Sequence, residues 1–323
     1  MKKVLFIGLG SIGQRHLRNL MALNLSLEYY AIRKRNLPLP EEFSKVKINY
    51  VKGWSEIPQL NIDICIIAAP PSFQQEVLPK VVDLGIDFFV EKPIGTDLSV
   101  LKSLSPKIVE KKLITMVGFN LRHHPIVLKV KNIINSGVLG RLTSFRTEVG
   151  QYLPDWHPKE DYRLGYSANR NLGGGVVLDL IHEIDLADYF FGPLTQVKAI
   201  LGTNSGLQID VEDSAEIICS SESGIIGSIH LDYVNRFGIR CGHITGTTGF
   251  LKYNLLDATY ELKIVGGDIT SGKVTFDRND MYINQIEEFI AACKNRVEVD
   301  NNFKSRLQVL AYAMQALEGN QIN

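Results

Sequence analysis

Four apolar residues, Val4-Leu5-Phe6-Ile7, run directly into Gly8-Leu9-Gly10-Ser11-Ile12-Gly13, and no other stretch of this chain constrains its fold as tightly. The apolar run suits a strand buried on both faces. After Gly13 the period changes to that of a helix, with Leu17, Leu20 and Met21 forming an apolar stripe while Arg15 and Arg18 point away. Gly8 permits a tight turn off the strand, Gly10 lets the backbone approach a ligand with no Cβ in the way, and Gly13 allows the helix to pack closely on the sheet. The first helical N–H groups, at Ser11, Ile12 and Gly13, then face a region where the helix dipole favours negative charge. A glycine turn of this spacing between strand and helix is the fingerprint of a dinucleotide pyrophosphate site.

The end of the second strand, read as Leu27 to Ile32, bears on which dinucleotide. An acid about 20 residues past the glycines would bond the ribose hydroxyls of NAD, whereas a base accommodates the 2′-phosphate of NADP. The chain has Arg33-Lys34-Arg35 there and no acid. This favours NADP(H), with Arg33 and Lys34 as contacts, and leaves NAD(H) open.

Ile62 to Ala69 reads as a central parallel strand and ends in Ala68-Ala69-Pro70-Pro71-Ser72, where Ser72 is placed to cap the following helix. Ligands bind at the carboxyl ends of strands in open α/β sheets, so this turn is expected beside the cofactor. Ile86 to Val90, closed by Glu91-Lys92-Pro93, and Leu113 to Val117, leading into Gly118-Phe119-Asn120, complete the pattern. Beyond residue 121 the pattern changes. A helix from His124 to Ser136 precedes an alternating strand from Arg141 to Val149. Further strands follow at Val197 to Gly202, Ala215 to Ser220, Gly224 to Tyr233, Arg240 to Thr245 and Gly249 to Tyr253. Gly246-Thr247-Thr248-Gly249 reads as a hairpin turn rather than a phosphate loop, because no helix follows it. Two helices, Tyr282 to Cys293 and Phe303 to Leu317, close the chain. The expected fold is α/β. An N-terminal Rossmann domain with a parallel doubly wound sheet spans 1–120, and a C-terminal α+β domain with an open, mainly antiparallel sheet spans 121–323.

Lysine plus arginine equals aspartate plus glutamate at 35 each, so no net field draws nucleic acid or an anionic membrane, and a small molecule is the expected partner. Cys65, Cys219, Cys241 and Cys293 show no CxxC spacing and read as free thiols in a reducing cytoplasm. Met1-Lys2-Lys3 superficially imitates a secretory leader, but the glycines and Arg15 interrupt the apolar run and no small-residue cleavage site follows. No apolar run approaches the length of a membrane span.

Two stretches carry the residue types that chemistry needs. Lys92, at the carboxyl end of a buried strand, can reach both a nicotinamide and the substrate oxygen beside it, and burial near a positive ring would push it toward serving as a base. The stretch Gly173-Gly174-Gly175 through Asp185 reads as a helix on which Asp179, His182 and Asp185 recur every three residues, a carboxylate on either side of the imidazole. The three glycines would let the backbone approach a flat ring. Between them and the preceding strand lie Tyr152, Trp156, His157, Tyr162, Arg163 and Tyr166, whose aromatic faces and polar tips suit a sugar, with Arg163 suited to a carboxylate or phosphate. His123, His124, His157 and His182 lack HExxH spacing and cysteine partners, so no metal is expected.

Together the glycine turn, Glu91-Lys92-Pro93, Gly118-Phe119-Asn120-Leu121-Arg122 with Pro125, and the Gly173 to Asp185 stretch resemble the glucose-fructose oxidoreductase and inositol dehydrogenase family over nearly the whole chain. The resemblance implies a nicotinamide cofactor, with Lys92 catalytic and His182 its partner in proton transfer with a substrate hydroxyl. Further cofactor contacts are expected at Ala69, Pro70, Gln74, Glu91 and Asn120, and substrate contacts at Arg122, Trp156, Tyr162, Arg163, Asp179 and His182. Where many members carry a histidine this chain has Gln74, and Asp179 stands three rather than four residues before His182. The resemblance also implies a homodimer or homotetramer through the exposed face of the C-terminal sheet. The expected activity is hydride transfer at a hydroxyl or ketone carbon of a sugar, and the Tyr152 to Tyr166 loop, which looks similar to that of members from surface-sugar pathways, implies a nucleotide sugar or sugar acid. Two rivals share the fold: a regulatory protein that senses the cofactor without turnover, and an enzyme that closes its redox cycle on one sugar with the cofactor retained.

Overall fold

The computed structural model describes residues 2–34, 38–156, 158 and 160–319; Arg35 and His157, named above, lie outside them. The chain divides into two compact units, Met1–Gly118 with Tyr282–Leu307, and Phe119–Met281 with Gln308–Asn323. The first unit is therefore not a simple N-terminal segment, because the chain returns to it after residue 281.

In the first unit the buried run of β1 (Lys3–Ile7) leads through the glycine turn into α1 (Ser11–Ala22). There follow β2 (Glu28–Ile32), β3 (Ile48–Tyr50), α2 (Ile57–Leu60), β4 (Ile64–Ile67), α3 (Pro71–Asp83), β5 (Asp87–Val90), α4 (Leu98–Glu110) and β6 (Thr115–Val117). The strands pair in parallel in the order β3-β2-β1-β4-β5-β6, the doubly wound arrangement whose direction of winding reverses between β1 and β4. β4 and β5 are buried throughout, as a sheet covered on both faces requires.

In the second unit α5 (Pro125–Asn135) is capped by its own preceding residue, since His124 Nδ1 accepts from Ile126 N at 3.1 Å and proline occupies the first turn. After β7 (Leu142–Gly150) come α6 (Val176–Asp179), α7 (His182–Phe191), β8 (Leu194–Gly202), β9 (Ser214–Ser221), β10 (Ile226–Asp232), β11 (Ile239–Gly246), β12 (Gly249–Asn254), β13 (Thr259–Ile264) and β14 (Thr270–Lys273). These strands form an eight-stranded sheet in the order β14-β13-β12-β11-β7-β10-β9-β8, antiparallel except for the parallel β7–β10 pair. Phe145 of β7 stacks on Phe191 of α7 at 4.2 Å, which fixes one covered face. On the other face Ile200, Ile218 and Ile226 are 65%, 62% and 61% exposed. Gly246 to Gly249 joins the antiparallel β11 and β12, the hairpin expected there.

The last helices are α8 (Asp280–Asn295) and α9 (Phe303–Glu318). Ile286 and Phe289 of α8 are fully buried in the core that also holds Phe6, Leu17, Leu20 and Phe89, with Phe89 and Phe289 edge to face at 5.9 Å. Burying two such side chains stabilises by about 1.5–3 kcal/mol each. Ser72 does not cap α3: the helix starts at Pro71 behind Pro70, and the prolines, with fixed φ, set the start two residues earlier. Among the described residues no helix is long and apolar enough to cross a membrane, and the four cysteines are free thiols.

Candidate active site

In the first unit the glycine turn sits where β1 and β4 part. Gly8 has φ +91°, and a Cβ there would stand 2.4 Å from the carbonyl oxygen of Ala68. A Cβ on Gly13 would stand 2.4 Å from the oxygen of Gly8. Both positions are therefore closed by the protein's own backbone. Gly10 differs: its φ of −72° suits any residue, and a Cβ there would meet nothing within 4 Å. No side chain caps α1, and its first turn carries no acid. An open approach to bare backbone at an uncapped helix start fits a dinucleotide's pyrophosphate, and the residues that would hold it are Gly8, Gly10, Ser11, Ile12 and Gly13.

Around that turn, Ala69 and Pro70 follow β4, and buried Gln74 donates from Nε2 to the Ala69 carbonyl at 2.7 Å. Arg33 and Lys34 follow β2, with Arg33 over the Tyr50 ring at 5.8 Å and Lys34 over Phe73 at 5.3 Å. Glu91 and the half-buried Lys92 follow β5. The segment beyond them is fixed by Gln75 of α3, whose Oε1 accepts from Thr96 N and Asp97 N, both at 2.9 Å.

The second unit holds the other expected residues. His182 is the first residue of α7, 8% exposed, with its ring edge to face with Phe119 at 5.6 Å. The stretch around it is not the single helix expected from its period, because α6 ends at Asp179 and Leu180 leaves helical geometry at φ −95°, ψ 24°. Asp179 therefore does not share a helix with His182, whereas Asp185, three residues further along α7, does, as its spacing predicts. The cause is tertiary. Buried Asp179 accepts from the hydroxyls of Tyr166, Ser167 (2.6 Å) and Tyr233 (3.2 Å). Asp185 is gripped by Arg122 through Nε and Nη2, each at 2.8 Å. Two of the three glycines are pressed close by neighbouring groups of the protein. A Cβ on Gly174 would stand 2.1 Å from the Tyr166 carbonyl oxygen, and one on Gly175, at φ +112°, would stand 2.3 Å from Oε1 of Glu212. Gly174 and Gly175 thus leave room for the protein's own groups.

Burial, reinforced by the charge of Asp179, raises the Tyr233 phenol well above its ordinary range. Burial likewise raises the Glu212 carboxyl, which accepts from Val177 N at 3.1 Å. Trp156 lies edge to face with Tyr233 at 5.4 Å, so Trp156, Tyr233 and Asp179 form one cluster. Tyr162 and Arg163 form another around Gln208: its N–H donates to the Tyr162 hydroxyl at 3.2 Å and its Oε1 accepts from Arg163 at 2.8 Å. Arg122, 8% exposed, lies with its guanidinium over the Tyr189 ring at 4.5 Å and is engaged inside the unit. Asn120 opens the short turn Asn120–His123 and is also buried. The sequence reading did not single out Tyr233, Ser167, Glu212 or Gln208; each is a lone polar residue whose partners are distant in the chain.

Residues 2–119 match the model of an oxidoreductase family with an NAD-binding Rossmann fold, GFO/IDH/MocA, and residues 127–252 match that family's C-terminal domain. A levoglucosan dehydrogenase of Pseudarthrobacter phenanthrenivorans is 28% identical over 235 residues, 64% of this chain and 59% of that protein. The scyllo-inositol 2-dehydrogenase (NAD(+)) of Bacillus subtilis is 27% identical over 256 residues, 75% of this chain and 71% of the relative. A solved levoglucosan dehydrogenase in complex with NADH superposes with a TM-score of 0.87 over 98% of this chain and 96% of its own, at 20% identity, a likeness of fold. With both domain models matched in order along most of its length, this chain belongs to the GFO/IDH/MocA family of oxidoreductases.

Proposed function

We propose that the chain is an NAD(P)-dependent oxidoreductase that moves a hydride between a nicotinamide and a carbon bearing a sugar hydroxyl or ketone, with Lys92 and His182 as its catalytic residues. The observation that carries the reading is the open approach at Gly10, between two glycines closed by backbone, at the start of an uncapped helix. When bound, the nicotinamide gives or takes the hydride at the sugar carbon. Lys92 hydrogen-bonds the oxygen on that carbon. In the oxidative direction the hydroxyl proton passes to the imidazole of His182 while the C–H electron pair leaves with the hydride, and reduction runs the same steps backwards.

The substrate proposed is a sugar, either a nucleotide sugar or a sugar acid, met by Trp156, Tyr162 and Arg163, with Asp179 holding the hydroxyl cluster beside them. NADP(H) is preferred in this reading because Arg33 and Lys34 stand at the end of β2 and are held against aromatic rings. The NADH and NAD(+) in the relatives' names favour the second reading, NAD(H). The exposed isoleucines of the eight-stranded sheet are the proposed contact between copies in a homodimer or homotetramer.

Titration with NADPH and with NADH, followed by nicotinamide fluorescence, tests the cofactor. Tighter NADPH supports the role of Arg33 and Lys34, while tighter NADH assigns the basic turn to the surface. Turnover is then sought with a panel of sugars, sugar acids and nucleotide sugars. Lys92→Met should abolish that turnover with cofactor affinity retained, and unchanged turnover in that variant ends the mechanism.

A further inference from the structure

His16 lies on α1, the helix that begins at the glycine turn, and is 0% exposed. Its Nε2 stands 2.6 Å from Oε1 of Glu91, the residue immediately before Lys92. The ring is also set edge to face against Phe89 of β5 at 4.9 Å. Its Nδ1 is buried with no partner among the described residues. A proton there would be a stranded donor, costing about 1–3 kcal/mol, so the imidazole carries its proton on Nε2 and donates it to the carboxylate.

The Glu91 carboxylate is also confined from the opposite side. A Cβ on Gly118 would stand 2.6 Å from Oε2 and 2.8 Å from Cδ of Glu91, so only glycine leaves room for the carboxylate as it lies. The backbone on both sides is tied to neighbouring strands: Glu91 N donates to Ile67 O at 2.9 Å and Gly118 N to Val90 O at 2.8 Å. A histidine and a glycine are thus committed to one carboxylate, on backbone that two strand bonds hold in place. The cofactor reading of the sequence does not require the histidine.

We infer that His16 is a positioning residue for Lys92: from the helix that starts at the dinucleotide turn it fastens Glu91, and through Glu91 it fixes how Lys92 leaves the end of β5. The inference rests on the proposed catalytic role of Lys92. A charge-assisted hydrogen bond of this length between buried groups holds both ends to one geometry. The fastened carboxylate then presents a fixed negative charge one residue from the lysine ammonium.

Competitive acetylation of the folded full-length chain by acetic anhydride, read peptide by peptide by mass spectrometry, reports the reactivity of Lys92 without any substrate. His16→Leu removes the donor and leaves the charge on Glu91. His16→Gln restores a donor near the position of Nε2, and Gly118→Ala displaces the carboxylate from the other side. Labelling of Lys92 should change by about threefold or more in His16→Leu and Gly118→Ala, because both release the carboxylate beside the lysine. It should return toward the wild-type rate in His16→Gln, with Lys80 and Lys107 unchanged throughout. NADH affinity by fluorescence should be retained, while turnover of a substrate from the panel falls in kcat rather than rising in KM. Wild-type labelling of Lys92 in folded His16→Leu and Gly118→Ala proteins overturns the inference. So does an equal change in His16→Leu and His16→Gln, which would make ring shape rather than the donor responsible. Retained turnover in Lys92→Met would count against the proposed chemistry alone, because the labelling still reports whether His16 positions Lys92.

Discussion

Replacing Gly10 and Gly13 separately by alanine should split cofactor binding from stability. At Gly13 the new methyl meets the Gly8 carbonyl oxygen at 2.4 Å and the Ala68 methyl at 3.4 Å. Backbone cannot swing aside as a side-chain end can, so overpacking of about 1–3 kcal/mol is expected, partly offset by the roughly 1 kcal/mol that alanine gains over glycine inside a helix. At Gly10 the methyl meets nothing within 4 Å and the backbone is extended, so stability changes by about 1 kcal/mol or less, the margin by which glycine is the better N-cap. The methyl does occupy the approach to the first N–H groups of α1. Losing two hydrogen bonds to a charged phosphate, at about 1.5–3 kcal/mol each, costs the cofactor about 3 kcal/mol or more, roughly a hundredfold in Kd. Thermal unfolding and NADH fluorescence titration of both variants measure the two effects. Gly10→Ala should unfold near the wild-type temperature and bind poorly, and Gly13→Ala should unfold earlier by a few degrees. Wild-type cofactor affinity in Gly10→Ala would refute the assignment of that opening to a pyrophosphate.

Two further outcomes follow from charged groups in the second unit. His230 is held between Asp232 (3.1 Å) and Glu216 (2.6 Å), and these partners raise its pKa to about 9. A raised pKa means the protonated histidine stabilises the fold fully below its unfolded value of about 6.5. That contribution is lost as the pH climbs through about 9, so urea midpoints should fall across that window and an NMR titration should put the His230 midpoint near its upper end. Arg122→Met leaves the Asp185 carboxylate, 1% exposed, without its bidentate partner. Urea unfolding should show a loss of about 3–5 kcal/mol, largely recovered in the double variant with Asp185→Leu.

The parallel sheet was legible because its strands are unbroken apolar runs and its turn chemistry is local. β3 and β14 were not, since their residues are partly or wholly exposed and carry no alternation to detect. β13 does alternate, Tyr260, Leu262 and Ile264 against Thr259, Glu261 and Lys263, and that period-two signal was passed over. The site divides in the same way. Gly8, Gly10, Gly13 and Lys92 announce themselves through neighbours in the chain. The break at Leu180 does not, because it is imposed by Tyr166, Ser167 and Tyr233 converging on Asp179 from elsewhere in the fold. His16 was passed over for the same reason: its partner Glu91 is 75 residues away.

The return of α8 to the first unit has a consequence for how this protein comes into being. On the ribosome, β1 through β6 emerge well ahead of α8, so the sheet face that takes Ile286 and Phe289 stays uncovered until α8 has been made. The unit that begins synthesis earliest is thus completed after the eight-stranded sheet has already emerged, the reverse of the usual N-terminal-first order. A fragment ending at Gly118 would carry the whole dinucleotide turn and still present an apolar face to water, so chaperone demand should be set by the arrival of α8 rather than by the parallel sheet itself.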